Sequence, residues 1–161
     1  MSLSRLKDFL DSYSIKYVLI THSLAYTAQG IAALAHIPGR ELAKTVIVKI
    51  DGTLAMAVVP ASKQVDLDHL CWAIKANHAE IAKESEFRRF FPDCETGAMP
   101  PFGVLYGMTV YLDEMLSRDR EIIFNAGSHR ELMRMNWEDY KSLAEPHVIK
   151  LATSAAAAKA V

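Results

Sequence analysis

Apolar and polar positions along the chain alternate between two periods. Leu3, Leu6, Phe9 and Leu10 recur at helical spacing, which predicts an amphipathic helix over the first dozen residues. The run KYVLITH, Lys16 to His22, clusters β-branched and aromatic residues and predicts a strand. Thr27 can cap a helix through AQGIAALAHI, which Pro38-Gly39 would end; Gly30 costs that helix about 1 kcal/mol relative to alanine. The strongest local pattern is KTVIVKIDGTLAMAVVPA, where two strand-like runs flank Asp51-Gly52. That pair suits the positive φ angles of a type I′ turn, so a β-hairpin is expected.

VDLDHLCWAIKA then predicts a helix with Val65, Leu67, Leu70, Cys71 and Ile74 inward, and ESEFRRFF a shorter one before Pro92. GVLYGMTVYLD and EIIFNAG return to strand character, while ELMRM fits either period. NWEDYKSL opens with Asn136 and Asp139, close to capping-box spacing. Helices and strands are mixed without a repeating βαβ period, and the hairpin demands antiparallel neighbours. The expected fold is α/β in the broad sense and α+β in detail: one domain, a mixed curved β-sheet with a central β-hairpin, and helices around it. The domain would span 1–150, and the Ala-rich 151–161 would extend a helix or fray.

Composition narrows the class. At 161 residues, 51% hydrophobic and 23% charged, the chain suits a single domain with an ample core. The first ten residues carry Arg5, Lys7 and Asp8, no apolar run approaches a membrane span, and a cytoplasmic protein with no membrane partner is expected. A formal net charge of −1 argues against gripping long DNA duplexes and leaves room only for local nucleic-acid contacts. Arg88, Arg89, Arg130 and Arg134 could form a small basic patch or be solvated surface charge. Cys71 and Cys94 are expected as free thiols.

Chemistry-bearing positions are few. GAMPPFG, Gly97 to Gly103, is an uncharged loop whose prolines and glycines fix its shape. Lys44 opens a hydrophobic strand; it could face solvent or, in a pocket, hold an oxyanion or phosphate. NAGSH, Asn125 to His129, ends a strand either as a simple turn or as a place where backbone N–H groups and His129 meet a ligand. Neither His22-Ser23 nor Ser128-His129 makes a Ser-His-Asp arrangement, and the six histidines lack zinc-ligand spacing. GxGxxG and P-loop patterns are missing, so no metal and no cofactor is expected. Cys94 is a weak candidate nucleophile.

Taken together, GRELAKTVIVKIDG, PDCETGAMPPFG and IIFNAGSHRELMRM resemble, in order and separation, the YbaK and prolyl-tRNA-synthetase-associated domain family, over roughly Ser4 to Pro146. The resemblance implies a deacylase that hydrolyses the ester of mischarged tRNA, with tRNA-Pro carrying alanine, cysteine or serine as the expected substrate. Its partners would be the acceptor end of aminoacyl-tRNA and, optionally, a prolyl-tRNA synthetase. By the same resemblance Lys44, Gly97 and His129 would be catalytic. Thr45, Ala98, Met99, Pro100, Pro101, Phe102, Gly103, Asn125, Ala126, Gly127, Ser128, His22 and Tyr26 would bind substrate. Loop amides between Gly97 and Gly103 would stabilise the oxyanion, with Met99 or Phe102 acting as a sieve or serving as core plugs. Thr45 stands where the alanine-editing branch often has Asn, and NAGSH where the cysteine-editing branch often has a Gly-Gly-Ser-Arg type segment, so the amino acid stays open. The alternative is a non-catalytic module that binds aminoacyl ends or small amino-acid-like ligands.

Overall fold

The computed structural model describes residues 2–21 and 37–154. Helix α1 (Ser2–Ser12) buries Leu6 and Leu10, as its period requires, and ends at Ser14, where φ is +58°. Strand β1 (Tyr17–Thr21) follows. The proposed helix through Thr27 and Gly30 lies outside the described residues.

Strands β2 (Leu42–Ile50) and β3 (Thr53–Pro60) form the expected hairpin, paired from Ala43↔Pro60 to Ile50↔Thr53. Asp51 and Gly52 carry φ of +48° and +87°, the two positive angles of a type I′ turn. The Asp51 carboxylate also accepts the N–H groups of Asn77 and His78, the latter at 2.8 Å, which ties the turn to the following chain.

Beyond the hairpin come β4 (Gln64–Val65), α2 (Leu67–Ile74), β5 (Ala79–Ile81) and α3 (Glu84–Phe87). Asp66 caps α2 by accepting His69 N–H, and Lys75 closes it at φ +57°. Of the five side chains expected inward, Leu70 alone is fully buried; the others are half-buried, and Trp72 is exposed. Next are β6 (Val110–Asp113), β7 (Glu121–Asn125), β8 (Glu131–Asn136), α4 (Trp137–Ala144), β9 (His147–Ile149) and β10 (Ala152–Thr153). Asn136 caps α4 through Asp139 N–H at 3.1 Å.

Two expectations change. GVLYGMTVYLD is a strand only over Val110–Asp113, and Gly103–Leu105 is a 3₁₀ turn. At Gly103 a Cβ would stand 1.9 Å from the Met108 carbonyl oxygen, so the chain folds back on itself through a position only glycine can fill. ELMRM is strand, and its period was unreadable because both its faces are covered: Leu132 packs on one, Met133 and Met135 on the other.

The strand order is β1-β8-β7-β2-β3-β6-β9, with β5 also on β2. Pairing is mixed: β2/β3, β7/β8, β1/β8 and β2/β5 are antiparallel, while β2/β7, β3/β6 and β6/β9 are parallel. One face carries Ala43, Ile47, Val58, Phe124 and Met133 in the main core, together with Leu6 and Leu10 of α1, Tyr140 of α4 and Phe102. The other carries two smaller clusters, Val48, Ala57 and Val59 with Leu70 and Leu151, and Leu42, Ala61 and Leu132 with Ile20 and Ile37. Leu151 is fully buried, and Ala152–Thr153 pair with Gln64–Val65, so the chain packs on the sheet past residue 150. Among the described residues, no helix is long and apolar enough to cross a membrane.

Candidate functional site

The site can be built from an interruption in the sheet. Strand β7 pairs with β2 at Leu42 and Ala43, and β5 takes the same edge at Val48 to Ile50. Between them, among the described residues, no strand pairs with Lys44 to Val46 on that edge. Side chains alternate along a strand, so Lys44 shares the face of Leu42 and Val48, and Thr45 that of Ala43 and Ile47. Lys44 therefore sits between the two small clusters, half-buried, and its Nζ donates to the Lys63 carbonyl at 2.7 Å. Burial among these apolar neighbours lowers its pKa below the ordinary lysine value, because desolvation penalises the ammonium. The alternation corrects one expectation: Thr45 is buried on the opposite face, level with Val58, and does not accompany Lys44.

Two loops meet beside this edge. After β7 the chain turns through Ala126 to Arg130, and the GAMPPFG loop lies against that turn. Glu95 N–H donates to the Gly127 carbonyl at 2.8 Å, and Gly127 N–H to the Ala98 carbonyl at 2.9 Å. The Glu95 carboxylate accepts His129 N–H at 3.0 Å, and His129 Nε2 lies 2.7 Å from the Thr96 carbonyl oxygen. A carbonyl only accepts, so Nε2 bears a proton, and in the neutral ring the lone pair resides on Nδ1. Gly97, at φ +87°, lets the loop approach: a Cβ there would lie 3.4 Å from His129 Cε1. Gly127 holds φ +103° on the other side of the contact. Gly97 and His129 are thus brought together, joined by Glu95, which the sequence reading did not single out although it stands two residues before Gly97 in a quoted motif.

The loop is fixed from within. Ala98 N–H donates to Glu95 O, Phe102 N–H to Pro100 O, and Gly97 N–H reaches Met99 Sδ at 3.3 Å. The buried Tyr140 hydroxyl donates to Pro101 O at 2.8 Å. These bonds, with the missing N–H groups of Pro100 and Pro101, correct the idea of a row of oxyanion amides: among the described residues, Met99 N–H is one of the few in the loop without a partner. The side chains of Met99 and Phe102 belong to the core, Phe102 being wholly buried against Phe9, Phe124 and Tyr140. Of the two readings held open for them, the structure takes the core plug. Ala98 and Ala126 are buried too, and Ser128 Oγ accepts Arg130 N–H within its own turn. His22 and Tyr26 lie outside the described residues.

Asn125 ends β7. The parallel register Leu42↔Ile123 and Ala43↔Phe124, continued by one residue, sets it level with Lys44 and on the same face as Leu132. Burial pushes the Cys94 thiol up to about 11, despite the hydrogen bond it shares with Tyr106 at 3.3 Å, which disfavours the thiolate that a nucleophile needs. A cleft of about 520 Å³ lined by Lys49, Leu54, Glu86, Arg89, Phe90 and Tyr106 lies near the hairpin turn, and neither Lys44, Gly97 nor His129 lines it.

Solved structures share this architecture. A candidate trans-editing enzyme for prolyl tRNA synthetase superposes with TM-score 0.79 and 21% identity, covering 95% of this chain and 98% of the other. APE2540, described only as hypothetical, gives 0.81 at 16% identity over 92% and 99%. A protein from work on computational epitope grafting onto scaffolds gives 0.79 at 19% over 95% and 97%. No curated protein sequence matches. The class is therefore that of the single mixed α/β domain whose architecture these structures share. The family model for the aminoacyl-tRNA editing domain matches residues 22–143, and the chain belongs to that family.

Proposed function

We propose that this protein hydrolyses the ester bond of mischarged aminoacyl-tRNA, acting in trans on the acceptor end. The observation that carries the reading is Lys44: a half-buried ammonium held at a break in the sheet, inside the segment that matches the editing domain. Editing answers a physical need, since a synthetase cannot strongly reject a smaller or isosteric amino acid by binding alone.

In the proposed reaction water attacks the ester carbonyl carbon and the bond to the 3′ oxygen of the terminal adenosine breaks. The products are the free amino acid and a tRNA with its 3′ hydroxyl restored, so no protein nucleophile is required. One Lys44 N–H is held by the Lys63 carbonyl, which aims the ammonium; its two others are available to the oxyanion of the tetrahedral intermediate. The Gly97 loop supplies a fixed wall and His129 positions water or substrate. The tRNA is proposed as tRNA-Pro carrying alanine, cysteine or serine, in line with the structural neighbour's description. Purified protein offered Ala-, Ser-, Cys- and Pro-charged tRNA should turn over one mischarged species catalytically. Stoichiometric binding without release of amino acid would make it a binding module instead.

A further inference from the structure

We infer that Asn125 reads the substrate: its side-chain amide oxygen accepts a hydrogen bond from a donor that flanks the scissile ester. This rests on the editing reading above. Asn125 is only 4% exposed, and its Oδ1 is closed off from solvent with no hydrogen-bond partner among the described residues. Buried polar atoms are ordinarily paired, and leaving one unpaired is costly, so an orphan at a candidate site needs a reason. Glu131 Oε2 is a second such orphan, whereas the fold satisfies a buried carboxylate elsewhere. Asp113, equally buried, receives the N–H groups of Met115, Leu151 and Ala152 at 2.8 to 3.0 Å.

The place of the orphan supplies the reason. Asn125 is the last residue of β7, where that strand parts from β2, level with Lys44 and on its face. Two residues on, Gly127 takes the chain into the turn clamped to the Gly97 loop. Lys44 offers only donors and suits the ester's oxygens; an amide oxygen suits the opposite partner. An aminoacyl ester carries two donors next to the reacting bond, the α-ammonium of the amino acid and the 2′-hydroxyl of the terminal ribose. Asn125 and Lys44 then form a complementary pair, an acceptor for the flanking donor and a cation for the developing anion.

The test uses the tRNA of the panel that wild type hydrolyses, in three forms: the ordinary aminoacyl-tRNA, one ending in 2′-deoxyadenosine charged at the 3′ oxygen, and one charged with the deaminated acyl group, whose α-carbon bears hydrogen in place of the ammonium. Asn125→Leu, close in shape and apolar, should lower kcat/KM on the ordinary substrate about 10- to 100-fold, the scale of a buried hydrogen bond to substrate. It should also leave Tm at or above the wild-type value, because it removes an unsatisfied buried polar atom. The loss should vanish on the 2′-deoxy form if the hydroxyl is the donor, or on the deaminated form if the ammonium is. Asn125→Ala, which removes the amide without adding bulk or another acceptor, carries the same comparison should leucine prevent folding. Equal losses on all three substrates, or no loss on any, would overturn the assignment while leaving the hydrolase intact. A wild type inactive on the whole panel would remove the editing reading, and this inference with it.

Discussion

At the residue scale, the account turns on what burial does to a lysine. The sequence displayed Lys44 at the head of a hydrophobic strand but could not display its depth, which arises because Val59, Leu42 and Val48 crowd its face of the sheet. Desolvation lowers its pKa from 10.5, so the cationic form is lost at lower pH than for an ordinary lysine. Deacylation that depends on Lys44, after subtraction of spontaneous ester hydrolysis, should fall as pH rises through the lowered value. A pH–rate profile that stays flat to 10.5 would contradict a lysine buried in this way. Stability has the opposite sign: the unfolded chain binds this proton more tightly, so burying Lys44 costs least above 10.5 and stability rises with pH between the lowered value and there. Thr45, adjacent in sequence, was legible as a strand residue but not as one facing away, because side assignment needs the register.

At the element scale, the hairpin and the start of α4 were readable because each depends on residues within a few positions: Asp51-Gly52 for the turn, Asn136 for the helix start. The short strands β5 and β9 were not, since AEI and HVI hold their conformation through pairing with β2 and β6. The Gly97 loop was legible as rigid and its neighbour was not. The contact of Glu95, Gly97 and Ala98 with Gly127 and His129 spans about thirty residues of chain. Gly97→Ala tests that contact. A side chain at φ +87° costs about 1–2 kcal/mol and brings a methyl against the His129 ring. Thermal unfolding should drop by about 2–8 °C, and kcat should fall as His129 is displaced. An alanine variant with wild-type Tm and kcat would show that the clamp is not needed.

At the scale of the whole molecule, among the described residues, a sheet of mixed direction has β2 unpaired on one edge at Lys44 to Val46 and closes its far end with Asp113. That carboxylate gathers the N–H groups of Met115, Leu151 and Ala152 and so fastens residues 151–153 to the sheet. An Ala-rich ending gave no sign of this, because the partner lies 38 residues earlier at Asp113. Asp113→Ala strands three donors, one buried and two partly buried, and should destabilise by about 2–4 kcal/mol, read in denaturant unfolding, with KM unchanged. A loss under 0.5 kcal/mol would deny the anchor. The net charge of −1 fits the proposed contact with only the acceptor end of a tRNA. The most direct test of the central claim is single-turnover deacylation of mischarged tRNA by wild type and by Lys44→Ala. The account predicts amino acid release by wild type and a loss of about 10²-fold or more in the variant, with the fold intact by circular dichroism. Equal rates in the two proteins would contradict it.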